Sequence, residues 1–191
     1  VDSFAVKIDP LDEVVVYYSG HGTNQNGINY LAPAGLNLST VQTYANTAYS
    51  LNTLTQKVKG AISSLVILEA SRSWSIKGIR ASTKSFVTLS PAVGNQAILS
   101  AAQPGKGVAT STGKVSLFTR ELIRQISSSP EGINALFPKV AAEVKKTTLA
   151  VQQPWMSNLI NTNFYFNKTQ ERGIWKETSP MEIEGGGSLN W

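Results

Sequence analysis

Two polar clusters, each following a short apolar run, hold the residue types that could act on a substrate. The cluster SGHG (Ser19–Gly22) follows the run EVVVYY, and the cluster EASR (Glu69–Arg72) follows the run LVIL. In open parallel sheets, ligands bind beyond the carboxyl ends of the strands. If the two runs form neighbouring strands, His21 and Ser71 face one crevice at that edge.

A histidine beside a serine could serve nucleophilic chemistry, with the imidazole as general base for the hydroxyl. A hydroxyl needs a strong and oriented base, which Ser–His–Asp sites obtain from a buried carboxylate that holds the histidine. The only aspartates, Asp2, Asp9 and Asp12, precede the first apolar run and have no evident route to His21. We therefore expect a nucleophile at Ser71 to give little or no turnover.

The composition excludes several classes of site. The sequence of 191 residues contains no cysteine and one histidine, His21. The absence of cysteine excludes disulfide scaffolds, Cys-ligated zinc, iron–sulfur clusters and any thiol nucleophile. A single histidine excludes a multi-His metal site within one chain. We expect neither a metal nor another cofactor. The absence of cysteine does not determine the cellular compartment, because it fits a secreted and a cytosolic protein equally.

The net charge of +5 is concentrated in the middle of the chain, where residues 57–124 hold ten Lys and Arg residues against two acidic residues. A basic segment can attract nucleic acid. Here the basic residues are scattered and lack the interleaved aromatic side chains of a stacking platform. We therefore expect a solvated basic surface and no nucleic-acid partner. No apolar run approaches the roughly 20 residues that span a bilayer, so we expect no membrane insertion.

Strands and helices must alternate along the chain to position the two clusters. Continuous, β-branched apolar runs predict central strands buried on both faces. Two such runs and two weaker candidates are Glu13–Tyr18, Leu65–Leu68, Gln96–Ala101 and Asn163–Phe166. Apolar stripes at helical spacing predict three helices. Ser116 could cap the second of them. The three stripes are Leu51, Leu54, Val58 and Ile62, then Leu117, Phe118, Leu122, Ile123 and Ile126, then Ile133, Leu136, Phe137, Val140 and Val144. This alternation predicts an α/β fold with a mostly parallel sheet and helices on its faces.

Segments rich in Gly, Ser, Thr, Asn or Pro predict loops over Asn24–Ser39, Ser73–Thr83 and Pro104–Lys114. Residues 168–191 contain three consecutive glycines and little periodicity. We therefore expect one domain over residues 1–167, followed by a tail or linker.

The chemistry-bearing clusters resemble those of a known family. The segment YYSGHG (Tyr17–Gly22) resembles the histidine motif of the caspase-like cysteine peptidases, which include metacaspases and the bacterial caspase-like group, and GINYLAP (Gly27–Pro33) is similar to the stretch that follows it. At the second cluster the family reads Asp, Ala, Cys, Arg, whereas this chain reads Glu69-Ala70-Ser71-Arg72. Further similarity lies at Ala97–Ala102, Phe118–Leu122 and Gln152–Trp155.

The resemblance implies a caspase-like fold and a His–Cys dyad, in which a thiolate attacks the peptide carbonyl and histidine protonates the departing amine. His21 takes the histidine position and Ser71 takes the nucleophile position. The backbone N–H groups of Gly22 and Ser71 are implied to form the oxyanion hole.

The resemblance also implies a specificity. Glu69 matches the acid that binds a basic P1 side chain in metacaspase-like members, which implies a polypeptide substrate cleaved after Arg or Lys; the usual residue there is Asp, which is one methylene shorter. A caspase-type preference for a P1 Asp, read through Arg72 or Arg80, is the less favoured alternative. Trp74 either lines the substrate groove or packs in the interior. The basic segment Lys77–Lys84 is either a self-cleavage segment or an exposed loop.

The serine at position 71 leaves two interpretations. Ser71 is an engineered replacement of the nucleophilic cysteine, or it is the natural residue of a pseudoprotease that acts as a protein-binding or scaffolding module. The cysteine-free chain does not separate them, although Glu69 in place of Asp slightly favours natural drift. An unrelated α/β domain is a third reading.

The resemblance covers roughly Glu13 to Phe166 and departs from the family at the N-terminal end. The family supplies a strand–helix–strand unit before the SGHG strand, whereas twelve residues precede that strand here, fewer than a βαβ crossover needs. A sheet without that unit exposes an unpaired strand edge. We therefore expect a missing N-terminal segment, a partner chain or a second copy in a homodimer beside that edge.

Overall fold

Strands and helices alternate along the part of the chain that the computed structural model describes, residues 1–34, 47–70, 86–92, 94–108, 115–161 and 163–167. The helices are α1 (Asp2–Ala5), α2 (Leu51–Lys57), α3 (Leu117–Ser128) and α4 (Ile133–Thr147). The strands are β1 (Glu13–Ser19), β2 (Gly22–Gln25), β3 (Ile28–Leu31), β4 (Tyr49–Ser50), β5 (Ser63–Glu69), β6 (Gln96–Ser100) and β7 (Trp155–Asn158).

The main sheet has the strand order β1-β5-β6-β7. Strands β1, β5 and β6 run parallel, with Ser19 opposite Glu69 and Leu68 opposite Ser100, and β7 is antiparallel to β6. The mostly parallel α/β sheet predicted from the alternation is therefore confirmed. Because the parallel strands share a direction, the residues that follow β1 and β5 meet at one carboxyl edge.

Helices cover both faces of this sheet and enclose two apolar clusters. On one face, α2 packs Leu51 and Leu54 with residues of β5 such as Val66 and Leu68. On the other face, α3 and α4 pack against Leu65 and Ile67 of the same strand. Side chains alternate between the two faces of a strand, so β5 contributes to both clusters.

The predicted helices form, with two corrections to their stripes. Ile123 was expected on the stripe of α3, but it is 53% exposed. Ser116 precedes α3 and accepts a hydrogen bond from the Thr119 N–H at 3.1 Å, and the complete stripe predicted for α4 is buried. Ile62 was expected on the stripe of α2, but that helix ends at Lys57 and Ile62 is 49% exposed. Gly60 interrupts the helical segment before β5 begins, and glycine disfavours a helix interior.

The prediction of two central strands holds for β5 and is wrong for β1. Every residue of β5 and of β6 is buried, whereas Val15 is 41% exposed and Tyr17 is 48% exposed. Within the described residues β1 lies at an edge of the sheet, and residues 1–12 contain the short helix α1 and no strand. An apolar run reports that a strand is hydrophobic on both faces, but it does not report whether both of its edges are paired.

A β-hairpin occupies the start of the predicted loop Asn24–Ser39. Strands β2 and β3 pair antiparallel and turn at Asn26 and Gly27, whose φ angles are 52° and 83°. Asn-Gly with positive φ at both residues suits the two-residue turn that matches strand twist. The loop expectation is therefore wrong over residues 24–31, and the Asn-Gly pair was the signal for it.

The fourth strand of the main sheet lies earlier in the sequence than predicted. The predicted strand Asn163–Phe166 is irregular, and the fourth strand of the sheet is β7. Phe164 is only 4% exposed and meets Phe166 edge to face, with ring centroids 5.4 Å apart. The aromatic residues of this segment therefore serve core packing. The predicted loop Ser73–Thr83 and the predicted tail 168–191 lie outside the described residues.

Candidate active site

The parallel pairing of β1 and β5 brings the two polar clusters together. The Gly20 N–H donates a hydrogen bond to the Glu69 carbonyl oxygen at 3.2 Å. A Cβ atom built on Gly22 would lie 2.6 Å from the Ala70 carbonyl oxygen, so the backbone of the SGHG segment lies directly against the end of β5. His21 between these glycines is exposed at the carboxyl edge.

The backbone of His21 is held by a tyrosine from its own strand. The Tyr18 hydroxyl lies 2.7 Å from the His21 carbonyl oxygen and 2.7 Å from the Ala32 carbonyl oxygen, so its one proton serves both. The Ala32 N–H also donates to the His21 carbonyl oxygen, at 2.9 Å. Burial raises the pKa of the Tyr18 phenol, which keeps the phenol protonated as the donor.

Gly20 leaves room for the same tyrosine. A Cβ atom at Gly20 would lie 2.6 Å from the Tyr18 hydroxyl oxygen and 2.9 Å from the ring carbon that bears it. A real Cβ atom essentially never comes this close to another side chain, so the phenol occupies the place of a side chain at this position. The glycine before His21 thus provides room for the hydroxyl that fixes the turn.

Gly22 leaves a backbone donor at the same edge. The hydrogen bond from the Ala32 N–H to the His21 carbonyl oxygen flanks the pair Gly22 and Leu31. In an antiparallel ladder, a pair flanked in this way is the non-hydrogen-bonded kind, whose own N–H groups point away from the partner strand. The Gly22 N–H therefore points away from β3.

The segment that follows the nucleophile region is tied to this hairpin. The Asn29 side chain accepts a hydrogen bond from the Val87 N–H at 3.0 Å and donates to the Val87 carbonyl oxygen at 3.4 Å. Phe86, which is 1% exposed, places its ring where a side chain at Gly22 would lie. The hairpin, Phe86 and Gly22 thus form one packed unit behind His21.

Glu69 is buried at the end of β5 and holds two hydroxyl donors. Its carboxylate is part of a residue only 3% exposed, and the single oxygen Oε2 accepts from the Thr119 hydroxyl at 2.6 Å and from the Tyr17 hydroxyl at 3.1 Å. Thr119 lies in the first turn of α3, which begins at this edge of the sheet. The second oxygen, Oε1, carries neither of these bonds.

Tyr17 and Thr119 were not predicted as site residues from the sequence. Two patterns could have found them: period-two alternation places Tyr17 on the face opposite to Tyr18, and the Ser116 cap places Thr119 in the first turn of its helix. Neither pattern shows that α3 begins beside β5.

Comparison with known proteins decides the family. The family model of the caspase domain matches residues 1–165. This chain belongs to the caspase domain family. It is therefore a caspase-like peptidase domain in family and fold.

Solved structures show the same fold. The crystal structure of caspase-1 from Spodoptera frugiperda is similar to this chain with a TM-score of 0.56 and 17% sequence identity, over 89% of this chain and 71% of that one. Among curated protein sequences, none matches this chain significantly. The likeness to caspase-1 concerns the fold, and the expected caspase-like α/β architecture is confirmed by it.

The three aspartates of this caspase domain lie away from His21. Asp9 and Asp12 hydrogen-bond backbone N–H groups within their own turn, at 2.9 and 2.8 Å. That turn precedes β1, whose seven residues separate it from His21 by roughly 23 Å at about 3.3 Å per residue. Asp2 pairs with Lys57 at 3.2 Å. No Ser–His–Asp arrangement is therefore available from these residues.

Two of the expected site residues, Ser71 and Trp74, lie outside the described residues, so the roles predicted for them stay predictions. Among the residues that are described, no group of three or more His, Cys, Asp and Glu side chains could hold a metal ion. In the same part of the chain, no helix has the length and apolarity needed to cross a membrane.

Proposed function

We propose that this caspase domain is an endopeptidase domain for polypeptides with Arg or Lys at P1, present in an inactive form because serine occupies the nucleophile position. The observation that carries the specificity is the Glu69 carboxylate, which is buried at the carboxyl edge close to the turn that bears His21. The proposal has two parts, one for the P1 side chain and one for the bond-breaking chemistry.

The surroundings of Glu69 favour a cation. Within the described residues the Glu69 carboxylate accepts hydrogen bonds from two neutral hydroxyls, those of Tyr17 and Thr119, and it takes part in none of the ion pairs. A buried carboxylate without a cationic partner is costly. An Arg or Lys side chain that reaches Oε1 would supply the missing charge, whereas a P1 Asp would place two carboxylates together.

The geometry around His21 suits cysteine-peptidase chemistry at position 71. With cysteine there, the thiolate sulfur attacks the peptide carbonyl carbon, the C–N bond breaks, and the departing amine takes its proton from His21. Water then hydrolyses the thioester. The Gly22 N–H points away from β3 and would stabilise the oxyanion, a role that in a well-studied protease is worth about 2.7–4 kcal/mol per donor.

Serine at position 71 supports the inactive state. A free thiol has a pKa near 8.5, and a neighbouring imidazolium lowers it further. A serine hydroxyl lacks that acidity and needs an oriented base, and the aspartates that could orient His21 are engaged elsewhere. A cysteine, whose thiol ionises more readily than a hydroxyl, suits position 71 better than serine does.

The substitution Ser71→Cys tests the proposal. We expect the Ser71→Cys protein to cleave fluorogenic peptides that end in Arg or Lys, not Asp, and the unsubstituted chain to cleave none of them. The double variant Ser71→Cys, His21→Ala is the control for the dyad and should be inactive. Glu69→Gln in the Ser71→Cys protein should raise KM for the Arg peptide at least ten-fold while leaving the chain folded.

Two other outcomes would contradict the proposal, one for the P1 preference and one for the endopeptidase chemistry. Cleavage after Asp alone overturns the basic specificity. No cleavage of any peptide overturns the endopeptidase assignment and favours the pseudoprotease, a protein-binding or scaffolding module built on the same fold.

A further inference from the structure

Two consecutive tyrosines of β1 reach the two halves of the candidate site. Successive side chains of a strand point to opposite faces of the sheet. Tyr18 packs with the apolar cluster on the α2 face, whereas the Tyr17 hydroxyl lies 2.8 Å from the Thr119 hydroxyl of α3 on the other face. One dipeptide therefore contacts both the histidine turn and the buried carboxylate.

On the α2 face, the Tyr18 hydroxyl binds the backbone at both ends of the segment 21–32, and within the described residues both of its hydrogen bonds go to carbonyl oxygens. The phenol binds the carbonyl oxygens of His21 and Ala32, each at 2.7 Å. It also fills the space that a side chain at Gly20 would need. The hydroxyl thus joins both ends of the segment 21–32 and sets the direction in which His21 leaves the strand.

On the α3 face, the Tyr17 hydroxyl completes a triangle with Glu69 and Thr119. The hydroxyl lies 3.1 Å from Glu69 Oε2 and 2.8 Å from the Thr119 oxygen, and Thr119 in turn donates to the same Oε2 at 2.6 Å. Both donors act on one carboxylate oxygen, so they restrict the rotation of the carboxylate, and neither of these two bonds engages Oε1.

We propose that Tyr17 and Tyr18 are positioning residues with separate duties: Tyr18 orients His21 for proton transfer, and Tyr17, together with Thr119, orients Glu69 for the P1 cation. This inference rests on the proposed function and deepens it. Neither tyrosine contacts the reacting atoms, and each acts through the residue that it holds. The two duties are separable because the two side chains lie on opposite faces of the sheet.

Separate duties predict separate kinetic effects in the Ser71→Cys protein. Tyr18→Phe removes the hydroxyl that fixes the His21 backbone and should lower kcat about 10- to 100-fold, the size expected for a small misplacement of a catalytic group, with KM changed less than about two-fold. Tyr17→Phe removes one of two donors to Glu69 and should raise KM for the Arg peptide about three- to ten-fold, with kcat nearly unchanged. Thr119→Val should resemble Tyr17→Phe.

The matched control is Tyr165→Phe, which should change neither parameter. Tyr165 is 37% exposed, and its hydroxyl accepts a hydrogen bond from the Asn163 amide at 3.1 Å, away from both duties. Equal effects of Tyr17→Phe and Tyr18→Phe on the same parameter, or effects no larger than that of Tyr165→Phe, would overturn the proposal. If Tyr18→Phe does not fold, Gly20→Ala displaces the same hydroxyl, and an unchanged kcat in that variant would also overturn it.

Measurements on the chain with Ser71, which is expected to be inactive, test the positioning duties independently of the proposed peptidase activity. His21 is the only histidine, so its imidazole resonances can be followed by NMR without ambiguity. With Ser71 in place, Tyr18→Phe should shift these resonances and Tyr17→Phe should not. For the second duty, Tyr17→Phe should weaken the binding of an Arg-ended peptide to the Ser71 chain, measured by calorimetry, about three- to ten-fold.

The outcomes are then distinct. Suppose that Ser71→Cys is inactive, but that Tyr18→Phe still shifts the His21 resonances and Tyr17→Phe still weakens binding of the Arg-ended peptide in the Ser71 chain. The peptidase assignment then fails and the positioning duties stand. If Ser71→Cys is active and the two differences are absent, the positioning proposal fails and the peptidase assignment stands.

Discussion

At the scale of single residues, the candidate site consists of side chains held by neutral hydroxyls. Glu69 receives two hydroxyl bonds on one oxygen, and the His21 backbone receives one from Tyr18. Hydrogen bonds of this kind fix direction, and they add no opposite charge. The carboxylate therefore keeps its attraction for a cation, which is the physical basis for the proposed P1 preference.

Ionisation of the Tyr18 phenol is expected to lower the stability of the domain at alkaline pH. Burial raises the pKa of this phenol above its ordinary value of 10.0. A group whose pKa is raised on folding contributes stability that is fully present below its unfolded pKa and is lost as the pH rises through the folded pKa. We therefore expect the free energy of unfolding in urea to fall more between about pH 9 and about pH 11 in the Ser71 chain than in Tyr18→Phe. Equal losses in the two proteins would contradict this assignment.

At the scale of elements, the β2–β3 hairpin and the segment 86–89 form a rigid support for the histidine turn. Asn29 binds the Val87 backbone, and the Phe86 ring and the Ala70 carbonyl oxygen fill the space beside Gly22. The support includes the Asn29 amide, the Phe86 ring and the Ala70 backbone, and it leaves no space for a methyl group at Gly22.

Gly22→Ala tests this packing. The added methyl group would overlap both Phe86 and Ala70, and overpacking of this kind costs about 1–3 kcal/mol. We expect urea denaturation to show that loss of stability, and peptidase activity in the Ser71→Cys protein to fall with it. Gly60→Ala is the matched control, since nothing lies within 4 Å of a Cβ atom there and no positive φ is recorded; it should change stability by less than about 0.5 kcal/mol.

At the scale of the whole molecule, the central strands β5 and β6 come from either side of residues 71–85. They pair in parallel from Ser64 opposite Gln96 to Leu68 opposite Ser100, and both are buried. Phe86 and Leu89 also pack into the cluster that contains Val14 and Leu54. A cut between Ala70 and Phe86 would leave these contacts in place.

The Ser71→Cys protein is expected to cut itself after one of the basic residues of the segment Lys77–Lys84. The two fragments should stay together in gel filtration and separate only in denaturant, because β5 and β6 remain paired between them. A variant with Lys77, Arg80 and Lys84 changed to Ala should remain uncut. Fragments that separate under native conditions would show that the paired strands do not hold the molecule together.

The outer edge of β1 bears on the partner expected from the sequence. Among the described residues no strand pairs with that edge, and Val15 and Tyr17 are about half exposed beside it. The expected N-terminal segment, partner chain or second copy stays a prediction.

Local patterns in the sequence predicted a large part of this protein. The apolar runs of β1, β5 and β6, the stripe of α4 and the Ser116 cap depend on neighbouring residues, and each formed where the pattern placed it. The SGHG cluster carried the resemblance to the family that the caspase domain match confirms. The Asn26-Gly27 hairpin was equally readable from its turn chemistry and was missed.

Tertiary structure decided the rest, because it depends on contacts between distant segments. The sequence shows only the order of His21, Glu69 and Thr119. Glu69 and Thr119 are 50 positions apart, and the packing of α3 beside β5 brings their side chains within a 2.6 Å hydrogen bond. Such long-range contacts also placed β1 at an edge and gave the fourth strand to β7 in place of the aromatic segment 163–166. Residue types and spacing determined which chemistry this chain can support, and long-range packing determined which side chains orient it.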